Sequence, residues 1–350
     1  MENTKRIPIV RIDLDRQRAI SADTQLPDLM DKWLTYKKGF VKESTHANFA
    51  LIAENHINPF FEGRTIGSIT EGDLQDFIVY LYTEGRKNGR GGFGVRSIRG
   101  LMLPLKLALD YAWKYNRSID KIEWELLEYP KESRDDHVKA MTLEEQQRFS
   151  KAVYAELNRK TAAYLLTLFT GLRIGEVCGL RMGDLSLSNS KLYVSRTVQR
   201  VYSRKHGTKV IVGTPKTERS ARTIPLSELI LPTLDQFVNK EEPGKYFLTE
   251  SRKPCEPRVL RQCFRRFLKR NGLPEMKYHE LRHTFATRAM ELPGFDIKSL
   301  SAILGHNNPA FTLAVYGRAN MDQEIECMRL MNELMEGLAH ESTQISRQED

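Results

Sequence analysis

At 350 residues the chain is long enough for two domains that each bury a core, and its 54 Lys and Arg against 45 Asp and Glu leave a formal charge of +9. That excess points to a polyanionic partner, nucleic acid first. Four scattered cysteines without a C-x-x-C pair exclude a disulfide framework, and no signal-like leader or bilayer-length apolar run is present, so a soluble, reduced, cytoplasmic protein with no membrane contact is expected.

Residues 1–26 are polar and weakly patterned and read as an N-terminal extension. Pro27 then opens an apolar-periodic stretch with Leu29, Met30, Trp33 and Leu34. Thr70 and Asp73 form a capping-box pattern ahead of Leu74, Phe77, Ile78, Leu81 and Tyr82, and Leu101 to Trp113 carries another stripe whose Pro104 marks a start or a kink. Between these helices Gly89, Gly91 and Gly94 match G-x-G-x-x-G. A helical pattern leads in where that fingerprint needs a strand, so the segment reads as a basic loop. Its Arg86, Lys87, Arg90, Arg96 and Arg99 are candidates for a DNA backbone, with an ordinary solvated loop as the alternative.

Residues 27–125 are therefore expected to be a helical core-binding domain, 126–137 a Pro-containing, charge-dense linker, and 138–340 a second domain. Thr142 and Glu145 form a second capping box, and a buried helix through Ala162, Leu165, Leu166 and Phe169 ends at Gly171. The period then changes. Lys191 to Val198, Lys209 to Val212 and Ala221 to Leu226 predict a small antiparallel sheet with Lys216 at a hairpin tip. From 257 the pattern is helical again, with Leu260, Phe264, Phe267 and Leu268 on one face. Arg258, Arg261, Arg265, Arg266 and Lys269 lie elsewhere, suited to phosphates or equally to a solvated face. The fold class is α+β.

Five motifs carry the chemistry: T-G-L-R-I-G-E-V-C-G-L at 170–180, T-P-K-T-E-R-S-A-R-T-I-P-L at 214–226, H-E-L-R-H-T-F-A-T at 279–287, L-G-H at 304–306, and Tyr316. Arginine forks suit phosphate oxygens, histidine moves protons near neutral pH, and tyrosine forms covalent intermediates. In type, order and spacing these motifs resemble the tyrosine recombinases, most of all phage and conjugative-transposon integrases. The resemblance covers 138–340, with a weaker helical match at 27–125.

The resemblance implies a catalytic set of Arg173, Lys216, His279, Arg282, His306 and Tyr316, with Glu176 and His283 in support. Two guanidiniums would hold the non-bridging oxygens of a scissile phosphodiester as it becomes pentacoordinate. Tyr316 would attack and form a 3′-phosphotyrosyl bond, with His279 as the expected base, Lys216 as the acid for the leaving 5′ oxygen and His306 donating to the phosphate. No metal, cofactor or ATP is then needed. Read in isolation, Arg173 would merely pair with Glu176 three residues on, and Lys216 would be an exposed turn lysine.

Residues 279–283 also spell H-E-x-x-H, the zinc-peptidase pattern, but its extended form would need Gly and His where Ala286 and Ala289 stand. Other rivals are a DNA-binding protein without chemistry, a chromosome-dimer-resolving recombinase and a type IB topoisomerase. In the tail, Ile325, Met328, Met331, Leu334, Met335 and Leu338 recur at helical spacing within 322–338, ahead of a short end at 341–350. The stripe predicts either burial on its own domain or, as the resemblance implies, docking on a neighbouring copy in a homotetramer on double-stranded DNA.

Overall fold

The computed structural model describes residues 20–86, 89, 91–131, 139–203, 207–213, 221–292, 295–306 and 308–316, with 325, 328, 329 and 331. The chain divides into two compact units: residues 1–135 with 201–209, and residues 136–200 with 210–350. The first is helical apart from the described parts of 201–209, which belong to two strands that continue into the second, and the second is mainly helical with a small antiparallel sheet, giving an α+β fold. Among the described residues no helix is long and apolar enough to cross a membrane.

In the first unit, α1 (Leu26–Lys37), α2 (Glu43–Ile52), α3 (Glu71–Thr83) and α4 (Val95–Tyr115) enclose a core around Trp33, Phe61, Phe77 and Leu105. The Thr70 and Asp73 box caps α3 reciprocally. α4 begins six residues before the expected stripe and runs through Pro104. The missing proline N–H falls opposite the carbonyl of Gly100, so the helix gives up one backbone bond there.

Both expected limits of this domain are corrected. Ile20 is buried, and its carbonyl accepts a 2.9 Å bond from Asn116 Nδ2, so residues 20–26 belong to the unit rather than to an extension. Leu127 is buried, and the Glu128 carbonyl accepts from Gln75 Nε2 (3.1 Å) while the Glu128 N–H donates to Gln75 Oε1 (2.9 Å), so the stretch after 125 is also packed. Charge density marks surface, and here it masked a segment anchored by a few apolar contacts. The basic loop follows α3 with Gly89 and Gly91 at positive φ and no strand before it, as expected.

The second unit begins with α5 (Leu143–Ala155), capped by Thr142 and Glu145, and α6 (Arg159–Thr170), which ends at Gly171 in the left-handed region. Short helix α7 (Ile174–Gly179) follows. The expected single sheet is two sheets. β1 (Leu185–Ser186), β2 (Lys191–Val194) and β5 (Arg222–Pro225) form one in the order β1-β2-β5, and β3 (Thr197–Ser203) pairs with β4 (Gly207–Gly213) in the other. Leu192 lies opposite both Leu185 and Ile224, all three buried. The β-branched run continues past residue 194 in sequence, but the backbone breaks at Ser195–Arg196. There Arg196 pairs with Asp184 at 2.6 Å and the start of β3 approaches Gly175. The expected hairpin tip with Lys216 lies outside the described residues.

The chain closes with α8 (Pro257–Arg270), α9 (His279–Glu291), α10 (Ile297–Leu304) and α11 (Pro309–Tyr316). α8 buries Leu260, Phe264, Phe267 and Leu268 against α5 and α6 aromatics Phe149 and Tyr164. Tyr278, fully buried, shares a 2.7 Å bond with Thr167 of α6, while Thr284 accepts from the Met141 backbone at 3.0 Å. α9 is thus pinned at its start and middle, which fixes the face carrying His279, Arg282 and His283.

Candidate active site

α9 places His279, Arg282 and His283 at i, i+3 and i+4, on one helical face. Arg282 is buried, with relative exposure of 1 %. A buried guanidinium must be satisfied, and backbone carbonyls at two helix ends do this. Nη1 donates to the Gly171 carbonyl (2.6 Å) at the end of α6, and Nη2 donates to Leu304 (2.9 Å) at the end of α10. Both helices stop in left-handed glycines, Gly171 at φ 65° and Gly305 at φ 65°. The negative ends of two helices therefore face the cation.

Arg173, at the N-cap of α7, donates to Glu176 Oε1 (3.0 Å) and to the Gly305 carbonyl (3.2 Å), so the structural pairing with Glu176 and a place in the site hold together. Glu176 is buried and accepts two more bonds from Arg222 on β5, each 3.0 Å. Burial pushes its carboxyl up, but the bonds and charges of Arg222 and Arg173 outweigh burial and hold it below the usual carboxylate range. Burial and the neighbouring Arg173 lower the Arg282 guanidinium to about 9, which leaves it charged at neutral pH. Three guanidiniums and one carboxylate leave two net positive charges here.

Tyr316, the last residue of α11, lies half-buried with its hydroxyl 2.8 Å from His283 Nδ1. His279, the expected base, instead meets His283 edge-on at 4.5 Å between ring centroids. Burial raises the Tyr316 phenol, and Arg282 and Arg173 oppose that rise. Burial and then Arg282 lower His283. His279 is lowered by burial, then by His283 and the guanidiniums; the residue as a whole is exposed, so water offsets part of the burial cause.

His306 follows Gly305. Its Nε2 is 2.8 Å from Arg282 Nη2, which can only donate, so Nε2 accepts and Nδ1 carries the proton toward Thr312 Oγ1 at 2.8 Å. Burial and three guanidiniums lower this imidazole to about 4, in keeping with the neutral form. In this arrangement His306 accepts from Arg282 and does not present the expected donor. Thr312, fully buried, sits one turn before Tyr316 on α11, so the same contact orients the helix that carries the phenol.

The structure brings Arg173, Glu176, His279, Arg282, His283, His306 and Tyr316 together. Arg222 and Thr312 join them without having been singled out from sequence. Arg222 stands inside the 214–226 motif, which was its only signal. Among the described residues no three His, Cys, Asp or Glu side chains gather as a metal-ligand set. Of the candidate DNA cations, Arg258, Arg261, Arg265, Arg266 and Lys269 are exposed on α8. Arg86, Arg96 and Arg99 are exposed in the first unit, Arg86 over Phe93 and Arg99 over Tyr129, while Lys87 and Arg90 lie outside the described residues. Of the tail stripe, Ile325, Met328 and Met331 are exposed, and Leu334, Met335 and Leu338 lie outside.

Residues 139–323 match the family described as phage integrase family, and residues 25–82 match phage integrase, N-terminal SAM-like domain. A tyrosine recombinase XerC-like protein of Caldanaerobacter subterraneus subsp. tengcongensis is 27% identical over 339 residues, covering 89% of this chain and 84% of the relative. The ICEBs1 integrase of Bacillus subtilis is 22% identical, covering 93% and 88%. Among solved structures, a variant of the Tn1549 transposon integrase in complex with transposon right end DNA is similar at 25% identity and a TM-score of 0.65, covering 88% of this chain and all of that one (100%).

Proposed function

This chain belongs to the phage integrase family of tyrosine recombinases, enzymes that cleave and rejoin DNA, and we propose that it is a site-specific integrase working through a 3′-phosphotyrosyl intermediate on Tyr316. One observation carries the reading: the Tyr316 hydroxyl lies against His283 in the field of Arg282 and Arg173. Arg173 and Arg282 grip the non-bridging oxygens of the scissile phosphate with the parts of their forks not engaged by carbonyls and Glu176. The phenol oxygen forms a bond to phosphorus, its proton passes to Nδ1 of neutral His283, and the bond to the 5′ oxygen breaks. Lys216 protonates that leaving oxygen, an assignment resting on the motif alone. His279 acts beside His283 rather than on the phenol directly. In the reverse step a 5′ hydroxyl attacks the phosphotyrosyl bond, the proton returns to Tyr316, and no ATP is consumed.

The exposed cations of α8 and of the first unit follow the phosphate backbone of double-stranded DNA, on which the two units act together in the cytoplasm. Exposure of Ile325, Met328 and Met331 favours docking of the tail on a neighbouring copy, and hence a homotetramer, over burial on its own domain. It also favours strand exchange over a monomeric topoisomerase. Relatives named as an ICEBs1 integrase and as a transposase from transposon Tn916 support integration and excision as the role. The test is Tyr316→Phe, offered nicked duplexes with a randomised core, labelled at the 5′ end of the cleaved strand. The variant should bind DNA and form no denaturation-resistant adduct, whereas wild type forms one. Adduct formation by the variant would move the nucleophile elsewhere.

A further inference from the structure

We propose that Arg222 is a positioning residue of the cleavage reaction, a dedicated counter-ion that holds Glu176 so that Arg173 stays available to the phosphate. The guanidinium of Arg222 reaches into the site with all three nitrogens. Nη1 and Nη2 fork onto the two oxygens of Glu176 at 3.0 Å each, and Nε donates to the Ile303 carbonyl at 2.6 Å. Its side chain is 6 % exposed and that of Glu176 is 4 % exposed. A site built around a phosphate has no obvious use for a buried carboxylate, and the bonding pattern supplies one. Glu176 Oε1 takes Arg173 Nη1 and Oε2 takes the Arg173 backbone N–H, so the carboxylate sets both the side chain and the cap of α7.

Alone, that carboxylate would bind Arg173 too well. A buried carboxylate left to pair with the partly exposed Arg173 would offset that guanidinium's charge, and Arg173 would lose electrostatic grip on an anion. The bidentate fork from β5 supplies the balancing charge from a side chain that is itself buried. A second duty follows from Nε. Ile303, Leu304 and Gly305 are consecutive at the end of α10, and their carbonyls accept from Arg222, Arg282 and Arg173 in turn. The Arg222 guanidinium also lies where a side chain on Gly305 would begin, at 2.9 Å. One strand residue therefore fixes the carboxylate and the helix end from which the other two arginines hang.

This inference rests on the proposed phosphate-gripping role of Arg173, so its test begins with wild type. Failure of wild type to form an adduct on the randomised nicked duplexes would sink the functional reading itself. Given a wild-type adduct, Arg222→Gln should slow its formation by about 10²-fold while DNA affinity changes little, the scale expected for an arginine displaced by about 1 Å. The groups facing Glu176 are Arg173 at the start of α7, Arg222 from β5, and Arg282 and His279 from α9. With Arg222 gone the buried carboxylate titrates upward, so the variant's rate should fall further from mildly alkaline to mildly acidic pH, more steeply than that of wild type.

Arg222→Lys, which keeps charge but not the fork, should recover part of the rate without removing all of the loss. The double variant Glu176→Gln with Arg222→Gln removes both members of the buried pair, so neither is left without its counter-ion. It should fold even if Arg222→Gln does not, lose less than the two single losses multiplied, and lack the added acid sensitivity. Multiplicative losses, the same acid sensitivity in the double variant, or an Arg222→Gln rate close to wild type would each overturn the proposal.

Discussion

Replacing Gly171 by alanine tests whether the helix ends position the arginines. Gly171 sits at φ 65°, where an alanine costs about 1–2 kcal/mol. Its new methyl would lie 2.7 Å from Leu304 Cδ2 and 2.7 Å from Phe285 Cδ1, inside the distance real side chains tolerate. Relieving such a clash in a packed core costs about 1–3 kcal/mol, so the total is roughly 2–5 kcal/mol. The consequence for activity is separable. The Gly171 carbonyl holds Arg282 Nη1 at 2.6 Å, and Leu304, the residue struck by the methyl, holds Nη2 at 2.9 Å. A shift of about 1 Å in this guanidinium is worth on the order of 10²-fold in rate. Denaturant titration gives the first number and adduct formation, below the melting transition, gives the second. Gly244→Ala is the control, since nothing lies within 4 Å of its added carbon, and it should stay within about 0.5 kcal/mol. Wild-type stability together with a wild-type adduct rate for Gly171→Ala would refute the link between helix termination and arginine placement.

His283→Ala should lower the adduct rate by about 10²–10⁴-fold, the usual worth of a positioned base, with DNA binding retained; an unchanged rate would return the proton to His279 or water. The pH profile of wild type carries a sign that follows from His283 being lowered. The neutral, accepting imidazole persists below its ordinary value of about 6.5, so the acid limb of adduct formation should begin under that pH and deepen as pH falls through the folded value. A midpoint above neutrality would contradict this. Charge reversal at Arg265 and Arg266 on α8 should weaken DNA binding and make the salt slope shallower by about 1 for each phosphate no longer neutralised, read from binding isotherms at several ionic strengths. Removing residues 322–350 should leave single-site binding intact and abolish synapsis in a gel-shift assay with two sites; preserved synapsis would place the stripe on its own domain.

Much of the fold was legible because the signals were local. The capping boxes at Thr70 and Thr142 and the stop at Gly171 are contained in a few adjacent residues, and they formed as read. The approximate division into two units was visible as a lapse in apolar period, although its edges were not. Leu127 and Ile20 are single apolar residues in polar surroundings, and only long-range packing makes them core. The split sheet was hidden for the same reason. A turn at Ser195 and Arg196 is set by Asp184 and by the approach to Gly175, neither of which alters the β-branched run itself. At the site, spacing on α9 put His279, Arg282 and His283 on one face but gave no means of choosing which imidazole meets Tyr316. That depends on how α11 lies, through Thr312 and His306. Arg222 was missed because an arginine at the start of a short strand is ordinary until Glu176, far earlier in the chain, is seen at its tip.

The arrangement of donors along the sequence has a consequence for a cell making this protein. Arg173 and Glu176 emerge first during synthesis, Arg222 next, Arg282 later, and the phenol last, on a helix whose seat requires His306 already in place. A growing polypeptide thus sets its arginines only once Leu304 and Gly305 are made, and the proposed nucleophile follows on the next helix. A product that stopped before Tyr316 would keep the arginines proposed to hold the phosphate and lack the proposed nucleophile.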